Sequence, residues 1–411
     1  MTDSSLATKV ADVDTAWQDC IANGGPRQVE AQIRNTEPLV KFIAVDKSYD
    51  GRTRAVRDLT LDVAQGEFLT LLGPSGSGKT TTLNMLAGFE RPTRGEILLG
   101  GRPVDRLPPY ERNIGMVFQN YALFPHMTVG ENVAFPLSVR RMPRARIAEC
   151  VQRALAMVRL EAFSERRPAQ LSGGQQQRIA LARALVFEPS LVLMDEPLGA
   201  LDKKLREHMQ IEVKLLHERL GLTVVYVTHD QSEALTMSDR IAVFHDGRVM
   251  QQGTPDALYS QPRDAFVAGF IGENNILSGT AQAIANGQVR VALGGGLQVM
   301  ATAVGELQYG AETLVAVRPE SVHLSTGSDR GDNICRALVT SRIYLGDHQR
   351  LLTEIGNGHT ITVKVPAGID AVAGESVILC WNTVDCLAFP ASAAAERALD
   401  QDDLTKEWRN A

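Results

Sequence analysis

The chain has 411 residues, of which 44% are hydrophobic and 22% are charged, and its formal net charge is −6. This length exceeds what one ordinary hydrophobic core organises, so it predicts two or three domains. The negative charge argues against a protein that binds nucleic acid through bulk electrostatics.

The cysteines and the hydropathy pattern indicate a protein of the cytosol. Five cysteines are scattered without C-x-x-C spacing, which favours reduced, buried thiols over a disulfide framework or a zinc site. No apolar run reaches about 18 residues, and no basic segment followed by an apolar core opens the chain. We therefore expect a chain that does not cross a membrane by itself.

Residues 1–38 are polar and weakly patterned, and they predict a flexible extension. Gly24 to Pro26 separates a short predicted helix around Val10–Ile21 from a charged linker. From Leu39 onward, short apolar runs predict strands, among them Phe42 to Val45 and Leu59 to Val63.

Tyr49 lies between the first two predicted strands. An aromatic side chain at this point is able to stack on an adenine ring. The alternative is an ordinary tyrosine that is half-buried at the end of a strand.

The segment Gly73 to Thr81 fits the phosphate-loop pattern G-x-x-x-x-G-K-[ST], with a predicted strand before it and a helical pattern after it. Its glycines allow backbone N–H groups to turn toward phosphate oxygens, and the helix start adds its positive dipole end. We expect Lys79 to reach the β- and γ-phosphates and Thr80 to offer its hydroxyl to Mg²⁺. An ordinary Gly-rich turn is the alternative. The predicted nucleotide-binding residues here are Gly73, Pro74, Ser75, Gly76, Ser77, Gly78, Lys79, Thr80 and Thr81.

A strand over Ile114 to Gln119 ends in an amide that is able to reach Mg²⁺ or the attacking water. The alternative is a glutamine that caps its own loop. The next segment, Asn120 to Pro125, places aromatic and apolar residues where a loop is expected, which indicates a surface covered by a partner.

Residues 128–187 are mostly helical in pattern. Leu171 to Gln175 reads Leu-Ser-Gly-Gly-Gln and leads directly into a helix that ends at Leu185. A hydroxyl and free N–H groups at a helix start form a second phosphate-binding end. The alternative is a common Ser-Gly-Gly helix cap.

The apolar run Leu191 to Met194 predicts a buried parallel strand with Asp195 and Glu196 at its carboxyl end, where ligands bind in open α/β sheets. We expect Asp195 to hold Mg²⁺ through water and Glu196 to polarise the attacking water, although two such carboxylates otherwise cap a turn. His229 ends a further strand and is able to bond the γ-phosphate, although most lone histidines are structural.

Taken in order, these motifs resemble the nucleotide-binding subunits of ABC transporters over about residues 39–275. The resemblance implies that two copies assemble head to tail, so that Ser172 and Gly174 of one copy close over the γ-phosphate held by Lys79 of the other. Gly199 departs from the family pattern, which often has serine there, and no assigned role depends on it.

The resemblance also assigns roles to site residues. It implies catalytic roles for Glu196, His229 and Gln119, with Gln119 as a sensor between nucleotide and membrane partner. It implies Mg²⁺ ligands and nucleotide contacts beyond the loop as follows: Thr80, Gln119 and Asp195 for the metal, and Tyr49, Ser172, Gly173, Gly174, Gln175 and Asp202 for the nucleotide.

Residues 276–390 carry short alternating runs with Gly-rich turns, such as Gly287 to Leu293 and Thr360 to Val365, which predict a small all-β barrel. Phe270 to Glu273, Val317 to Glu320 and Tyr344 to Asp347 resemble importer ATPases of the spermidine/putrescine type, whose accessory domain is an OB-like (TOBE) barrel.

The expected architecture is therefore α/β: an N-terminal extension (1–38), a P-loop ABC ATPase domain with a mixed sheet and a helical subdomain (39–275), the barrel (276–390) and a C-terminal tail (391–411). The resemblance implies ATP and Mg²⁺, a homodimer, two transmembrane permease subunits, and indirect work with an external solute-binding protein. It places the chain at the cytoplasmic face of the membrane, with no nucleic acid.

Polyamine is the expected solute, and related importers of ferric iron, aminophosphonate, sulfate or sugar are the alternatives. A soluble ABC ATPase that acts on DNA or the ribosome is disfavoured, because the chain has neither a second ATPase unit nor a long coiled-coil insertion. A regulatory protein without catalysis is disfavoured by the intact carboxylate and histidine.

Overall fold

A computed structural model describes residues 37–325 and 331–391 of the chain. The predictions for the N-terminal extension and for the C-terminal tail lie outside these residues, and so does Cys20. The first part of the described chain contains ten strands, β1 (Val40–Ser48), β2 (Arg54–Val63), β3 (Phe68–Leu72), β4 (Arg94–Leu99), β5 (Arg102–Pro103), β6 (Ile114–Val117), β7 (Leu191–Asp195), β8 (Val224–Thr228), β9 (Arg240–His245) and β10 (Arg248–Gly253).

Helices are interspersed among these strands. They are α1 (Lys79–Ala87), α2 (Val129–Val139), α3 (Arg144–Met157), α4 (Gly173–Leu185), α5 (Lys203–Leu220), α6 (Gln231–Met237), α7 (Pro255–Ser260) and α8 (Ala265–Phe270). Helices α2, α3 and α4 share one apolar cluster, which includes Val133, Leu155 and Ile179. This cluster forms the helical subdomain that was predicted from the pattern of residues 128–187.

Two sheets organise this part of the chain. One is antiparallel, in the order β2-β1-β4-β5, and the other has the order β10-β9-β3-β8-β7-β6. In the second sheet the pairs β3–β8, β3–β9, β6–β7 and β7–β8 are parallel. Strands β3 and β8 are buried along their whole length, as expected for parallel strands covered on both faces.

The parallel arrangement positions the site. Because β3, β6, β7 and β8 run in one direction, the segments that follow them lie at one edge of the sheet. These segments are the loop after Leu72, Gln119 beyond Val117, Glu196 directly after Asp195 at the end of β7, and His229 after Thr228. Residues from four separate stretches of sequence are thereby collected at one place.

The second part of the described chain is all β. Its strands are β11 (Asn275–Ala285), β12 (Gln288–Gly294), β13 (Leu297–Ala303), β14 (Glu312–Val317), β15 (His323–Leu324), β16 (Asn333–Tyr344), β17 (His348–Ile355), β18 (His359–Pro366), β19 (Ser376–Trp381) and β20 (Cys386–Pro390).

Five of these strands close a barrel in the order β11-β12-β13-β20-β14, and five others form a sheet in the order β15-β19-β16-β17-β18. Residues from both, such as Val291 and Val315 of the barrel and Leu351 and Trp381 of the sheet, belong to one apolar core. The sequence predicted the barrel but not the additional sheet. Closure by β20, which pairs with β13 and β14, joins distant stretches that local alternation does not reveal.

The described residues from Pro38 onward belong to one compact unit, and Arg318 links its two parts. Its guanidinium donates to the carbonyls of Ile271, Glu273 (3.0 Å) and Tyr259 (3.0 Å), and lies 4.0 Å from the centroid of the Tyr259 ring. Arg318 directly follows β14, whereas its partners follow or belong to α7 and α8. The start of the all-β part is thereby fixed to the last helices of the α/β part.

A second link joins Gln231, the first residue of α6, to the same junction. The Gln231 side-chain oxygen accepts a hydrogen bond of 2.7 Å from the backbone N–H of Gly272. Gly272 has φ 70°, and a Cβ there would lie 2.9 Å from a guanidinium nitrogen of Arg318, so only glycine fits without displacement.

None of the four described cysteines forms a disulfide, and Cys335, Cys380 and Cys386 are buried. Burial raises the pKa of Cys335 to about 11 and that of Cys386 to about 12. The thiols of Cys335 and Cys386 are therefore protonated at neutral pH. The prediction of buried cysteines is confirmed for Cys335, Cys380 and Cys386, whereas Cys150 is only half-buried. No helix of the described chain is long and apolar enough to cross a membrane.

Candidate active site

The loop between β3 and α1 has a conformation that requires glycine at two positions. Gly78 has φ 98°, and a Cβ on it would overlap the carbonyl oxygen of Ala55 in β2. A Cβ on Gly73 would overlap the carbonyl oxygen of Phe244 in β9. The loop is therefore pressed between two neighbouring strands, which the sequence pattern alone does not show.

Lys79, the first residue of α1, bends back over this loop. Its ammonium donates to the carbonyls of Gly73 (2.7 Å) and Pro74 (2.8 Å), and the residue is 4% exposed. Burial lowers the pKa of Lys79, and the carboxylates of Glu196 and Asp195 oppose that change. The result is a cation held at the centre of the loop and close to two acids.

A cavity of about 240 Å³ opens beside this lysine. It is lined by Ala55, Ser75, Gly76, Gly78, Lys79, Thr80, Thr81 and Glu196. With the exception of Ala55, all of these residues were predicted from the motifs. Ala55 carries no sequence signal, because its place in the lining follows from the contact of β2 with Gly78.

Thr80 and Asp195 supply neighbouring oxygen atoms. The Thr80 hydroxyl donates to Asp195 Oδ1 at 3.1 Å. Burial raises the pKa of Asp195, the charge of Glu196 raises it further, and Thr80 and Lys79 oppose the rise.

Magnesium prefers one or two protein oxygen ligands completed by phosphate and water, and this pair fits that pattern. Within residues 37–325 and 331–391, no group of three or more His, Cys, Asp or Glu forms a metal cage.

Glu196 occupies the centre of the site. Its carboxylate lies 3.4 Å from the Gln119 amide nitrogen and 3.1 Å from Nδ1 of His229. Its backbone has φ 43°, and its N–H donates to the carbonyl of Val227 at 3.0 Å. A left-handed conformation is unfavourable for glutamate, and such residues occur where surrounding structure enforces them. The structure thus brings together the three residues that the sequence predicted as catalytic.

Glu196 also lines a second, small cavity of about 30 Å³, which has room for about one water molecule. It is lined by Glu196, Gly199, Arg206, Thr228, His229, Asp230 and Glu233. Sequence reasoning missed Arg206, Asp230 and Glu233. Asp230 and Glu233 have the spacing of a helix cap, which was a usable signal, whereas Arg206 reaches Asp230 (3.1 Å) from a different helix and had none.

Ser172 and Gln175 form a capping box at the start of α4. The Ser172 hydroxyl accepts from the Gln175 N–H (3.4 Å), and the Gln175 side chain accepts from the Ser172 N–H (3.0 Å). Asp202 caps α5 without a reciprocal bond, with its carboxylate accepting from the Leu205 N–H at 3.0 Å. None of residues 172–175 or 202 lines the described cavity beside Lys79. Within one chain, these predicted nucleotide contacts are therefore not brought to the phosphate loop.

Tyr49 is 63% exposed and does not line either described cavity. The ammonium of Lys47 lies 4.8 Å from the centroid of its ring, and the same ammonium pairs with Glu90 at 2.6 Å. One face of the exposed Tyr49 ring therefore lies near the Lys47 ammonium. The adenine-stacking role of Tyr49 stays a prediction.

The segment after Gln119 differs from its predicted exposure. Tyr121 is 7% exposed, because Arg183 of α4 donates to the carbonyls of Tyr121 and Ala122 at 2.7 Å each and holds the turn inward. Phe124 is half-buried against Phe135, with ring centroids 4.7 Å apart. The prediction of exposed aromatic groups was wrong for Tyr121, and sequence reasoning missed Arg183.

Comparison with known proteins agrees with this geometry. A family model described as ABC transporter matches residues 56–199, and one described as TOBE domain matches residues 315–389. The solved structure of cbiO1 from Clostridium perfringens, part of the ABC transporter complex cbiONQ, is similar with a TM-score of 0.52 and 28% identity. That similarity covers 55% of this chain and 92% of that one.

Three relatives are similar over most of their length, and each is a spermidine/putrescine import ATP-binding protein PotA. The protein of Rubrobacter xylanophilus is 46% identical over 370 residues, which are 89% of this chain and 97% of the relative. That of Thermobifida fusca is 50% identical over 375 residues, with the same coverage of 89% and 97%. That of Acidothermus cellulolyticus is 52% identical over 354 residues, which are 84% of this chain and 92% of the relative.

These matches confirm the predicted fold class, an α/β P-loop ATPase domain followed by a TOBE domain. The loop around Lys79, the carboxylates beside it and the relatives lead to the same assignment. The chain belongs to the ATP-hydrolysing subunits of the ABC transporter family, in the importer group that these three relatives represent.

Proposed function

We propose that this chain hydrolyses ATP to drive import of a polyamine, spermidine or putrescine, across the cytoplasmic membrane. The observation that supports this choice of solute is the similarity to three polyamine import proteins. It extends along 97%, 97% and 92% of their lengths, through both the ATPase and the TOBE parts. We place the chain at the cytoplasmic face, where two permease subunits span the membrane and a solute-binding protein delivers the polyamine from outside.

We propose that the cavity beside Lys79 holds the ATP phosphates. Its lining offers a buried ammonium, the hydroxyls of Ser75, Thr80 and Thr81, and the start of α1 with its dipole. Thr80 and Asp195, joined at 3.1 Å, would hold Mg²⁺. We assign Gln119, whose amide nitrogen lies 3.4 Å from Glu196, to the same ion. When bound, the metal neutralises charge on the phosphate oxygens.

Glu196 is the group that we assign to the attacking water. It lines the cavity and lies between Gln119 and His229, so its carboxylate is held at both oxygens. A carboxylate fixed in this way orients a water and accepts its hydrogen bond without having to reorganise first. His229 lies on the far side of Glu196 from Gln119, and we assign it to the γ-phosphate.

The second copy is part of this proposal. The chain offers two helix starts suited to phosphate, at Lys79 and at Ser172, but residues 172–175 do not line the cavity of their own lysine. A head-to-tail dimer places Ser172 and Gly174 of one copy over the nucleotide of the other. Association then depends on the γ-phosphate, which converts ATP binding and hydrolysis into closing and opening.

Uptake of labelled solutes tests the function. Cells that lack this chain are supplied with the wild-type protein or with Glu196→Gln, and uptake of radiolabelled spermidine and putrescine is measured. We expect the wild type alone to restore uptake. Restored uptake of sulfate, a sugar, ferric iron or an aminophosphonate without polyamine would overturn the solute and leave the ATPase assignment intact.

A further inference from the structure

The turn that carries His229 is held by a buried acid to which the proposed mechanism assigns no role. Glu233, in the first turn of α6, is 2% exposed. Its Oε2 accepts hydrogen bonds from the Tyr226 hydroxyl and from the Thr228 hydroxyl, each at 2.7 Å. Both donors belong to β8, the strand that leads directly into His229.

Thr228 extends this network to the other side of the histidine. Its hydroxyl donates to Glu233 and also accepts from the N–H of Asp230 at 3.0 Å. The backbone immediately before and after His229 is therefore fixed to one buried carboxylate. The His229 ring itself is 58% exposed, and its Nδ1 lies 3.1 Å from Glu196.

A second set of contacts completes the frame. The Asp230 carboxylate accepts from the N–H groups of Ser232 (2.8 Å) and Glu233 (3.3 Å), and it pairs with Arg206 of α5 at 3.1 Å. Together these contacts surround the small cavity beside Glu196. The turn that carries His229 is thus fixed by two partners: Glu233 of α6 and Arg206 of α5.

Burying a carboxylate is costly, and an apolar side chain at 233 would fill the space without that cost. What the acid adds is its ability to accept from two hydroxyls at once and thereby to fix where the strand ends. We propose that Glu233 is a positioning residue for ATP hydrolysis, which sets the end of β8 so that the His229 ring meets Glu196 and the nucleotide. This inference rests on the proposed roles of His229 and Glu196.

The test uses the purified full-length chain and measures kcat, KM for ATP and the thermal unfolding midpoint. We expect Glu233→Ala to lower kcat by about 100-fold, as expected when a reacting group is misplaced by about 1 Å, with a much smaller change in KM. Glu233→Gln keeps an acceptor oxygen in the same shape and should restore most of the rate. A purely stabilising role would lower the midpoint without this split between kcat and KM.

Two milder variants keep the proposal testable if Glu233→Ala does not fold. Thr228→Val and Tyr226→Phe each remove one hydroxyl from the same carboxylate, but only Thr228 adjoins His229. We expect the loss in kcat to be clearly larger for Thr228→Val. Equal losses, or a larger loss for Tyr226→Phe, would overturn the proposal.

A double substitution separates positioning from an independent effect. If Glu233 acts through His229, the variant with both Glu233→Ala and His229→Ala hydrolyses ATP in single-turnover assays as slowly as His229→Ala alone. Losses that multiply would overturn the proposal. If His229→Ala itself hydrolyses ATP at the wild-type rate, it is the proposed role of His229 that fails.

Discussion

Glu196 combines an unfavourable backbone with a position between two polar partners. Its backbone has a left-handed φ of 43°, and its carboxylate contacts Gln119 through one oxygen and His229 through the other. The surrounding sheet offsets the energetic cost of that conformation, because the Glu196 N–H donates a hydrogen bond to the Val227 carbonyl. The side chain is therefore set in place before ATP arrives.

Replacing Glu196 by glutamine should preserve this geometry and remove the charge. We expect ATP binding to be retained and hydrolysis to fall by about 10²–10⁴-fold, the usual contribution of a positioned general base. Phosphate release and ATP binding by the purified chain check this. Glu188→Gln is the matched control, because Glu188 also has a positive φ (53°) but is exposed and lines neither cavity. Equal rates for the two variants would contradict the role of Glu196.

Glu233 predicts a dependence of stability on pH. Burial raises its pKa, and the hydrogen bonds from Tyr226 and Thr228 oppose the rise. The folded chain therefore binds this proton more tightly than the unfolded chain, whose glutamates titrate near about 4.3. The stability from this group is complete below that pH and is lost as the pH rises through the folded-state value.

Glutamine at position 233 does not titrate. The unfolding midpoint of Glu233→Gln should therefore rise relative to that of the wild type as the pH is raised from about 4 to neutrality. Thermal unfolding of both proteins across this range is the measurement. A difference in midpoint that stays constant with pH would contradict the raised pKa.

At the scale of elements, the phosphate loop depends on two glycines for different reasons. Gly76 has φ 79° with nothing within 4 Å of an added Cβ, whereas a Cβ on Gly78, which has φ 98°, would overlap the Ala55 carbonyl. Gly76→Ala should cost only the left-handed strain of about 1–2 kcal/mol. Gly78→Ala should cost much more or prevent folding, because backbone must move. Denaturant unfolding of the two variants compares them directly, and equal costs would contradict the close approach of β2.

The capping boxes of α2 and α4 offer a matched pair. Thr128 with Glu131 and Ser172 with Gln175 have the same hydrogen-bond pattern. Thr128→Ala and Ser172→Ala should each cost about 1 kcal/mol of stability.

In a Glu196→Gln background, only Ser172→Ala should also prevent the ATP-dependent dimer, as measured by size-exclusion chromatography. Dimerisation that survives Ser172→Ala and is lost in Thr128→Ala would contradict the proposed second-copy contact.

Much of the element pattern and the site was readable from sequence. Motifs with clear local boundaries, such as the loop at Gly73 to Thr81 and the apolar run before Asp195, predicted their own elements. They also predicted that the site residues come together, because parallel strands end at one edge of the sheet. Helix α4 begins at Gly173, inside the Leu171 to Gln175 motif, because Ser172 caps it and lets the helix begin at once.

The rest could not be read in this way. Arg206 contacts Asp230 from 24 residues away, and Arg183 contacts the turn at Tyr121 from 62 residues away. Such contacts depend on how helices pack on the sheet, and local spacing does not encode that packing. For the same reason the sequence predicted a barrel but not the sheet that shares its core.

At the scale of the whole molecule, Arg318 joins the ATPase part to the TOBE part. It satisfies three backbone carbonyls with one planar guanidinium, a geometry that lysine does not reproduce. Arg318→Lys should destabilise the chain by about 1–3 kcal/mol for each carbonyl left unpaired.

The matched control is Arg342→Lys. Arg342 pairs with Asp370 at 3.6 Å, with side chains that are 40% and 99% exposed, so the change should lie within about 0.5 kcal/mol. Denaturant unfolding distinguishes the two variants. Similar midpoints would contradict the central role of Arg318 at the junction.

The hydrogen bond between Gln231 and Gly272 has a mechanical consequence. Gln231 comes two residues after His229. Gly272 precedes the first barrel strand by three residues and lies between Ile271 and Glu273, whose carbonyls accept from Arg318. We therefore expect any displacement of His229 during a catalytic cycle to be transmitted to the barrel through the hydrogen bond between Gln231 and Gly272. Thermodynamic reciprocity then gives the converse for binding: a molecule that binds the barrel in one of its positions would change the affinity of the ATPase part for the nucleotide by the same factor.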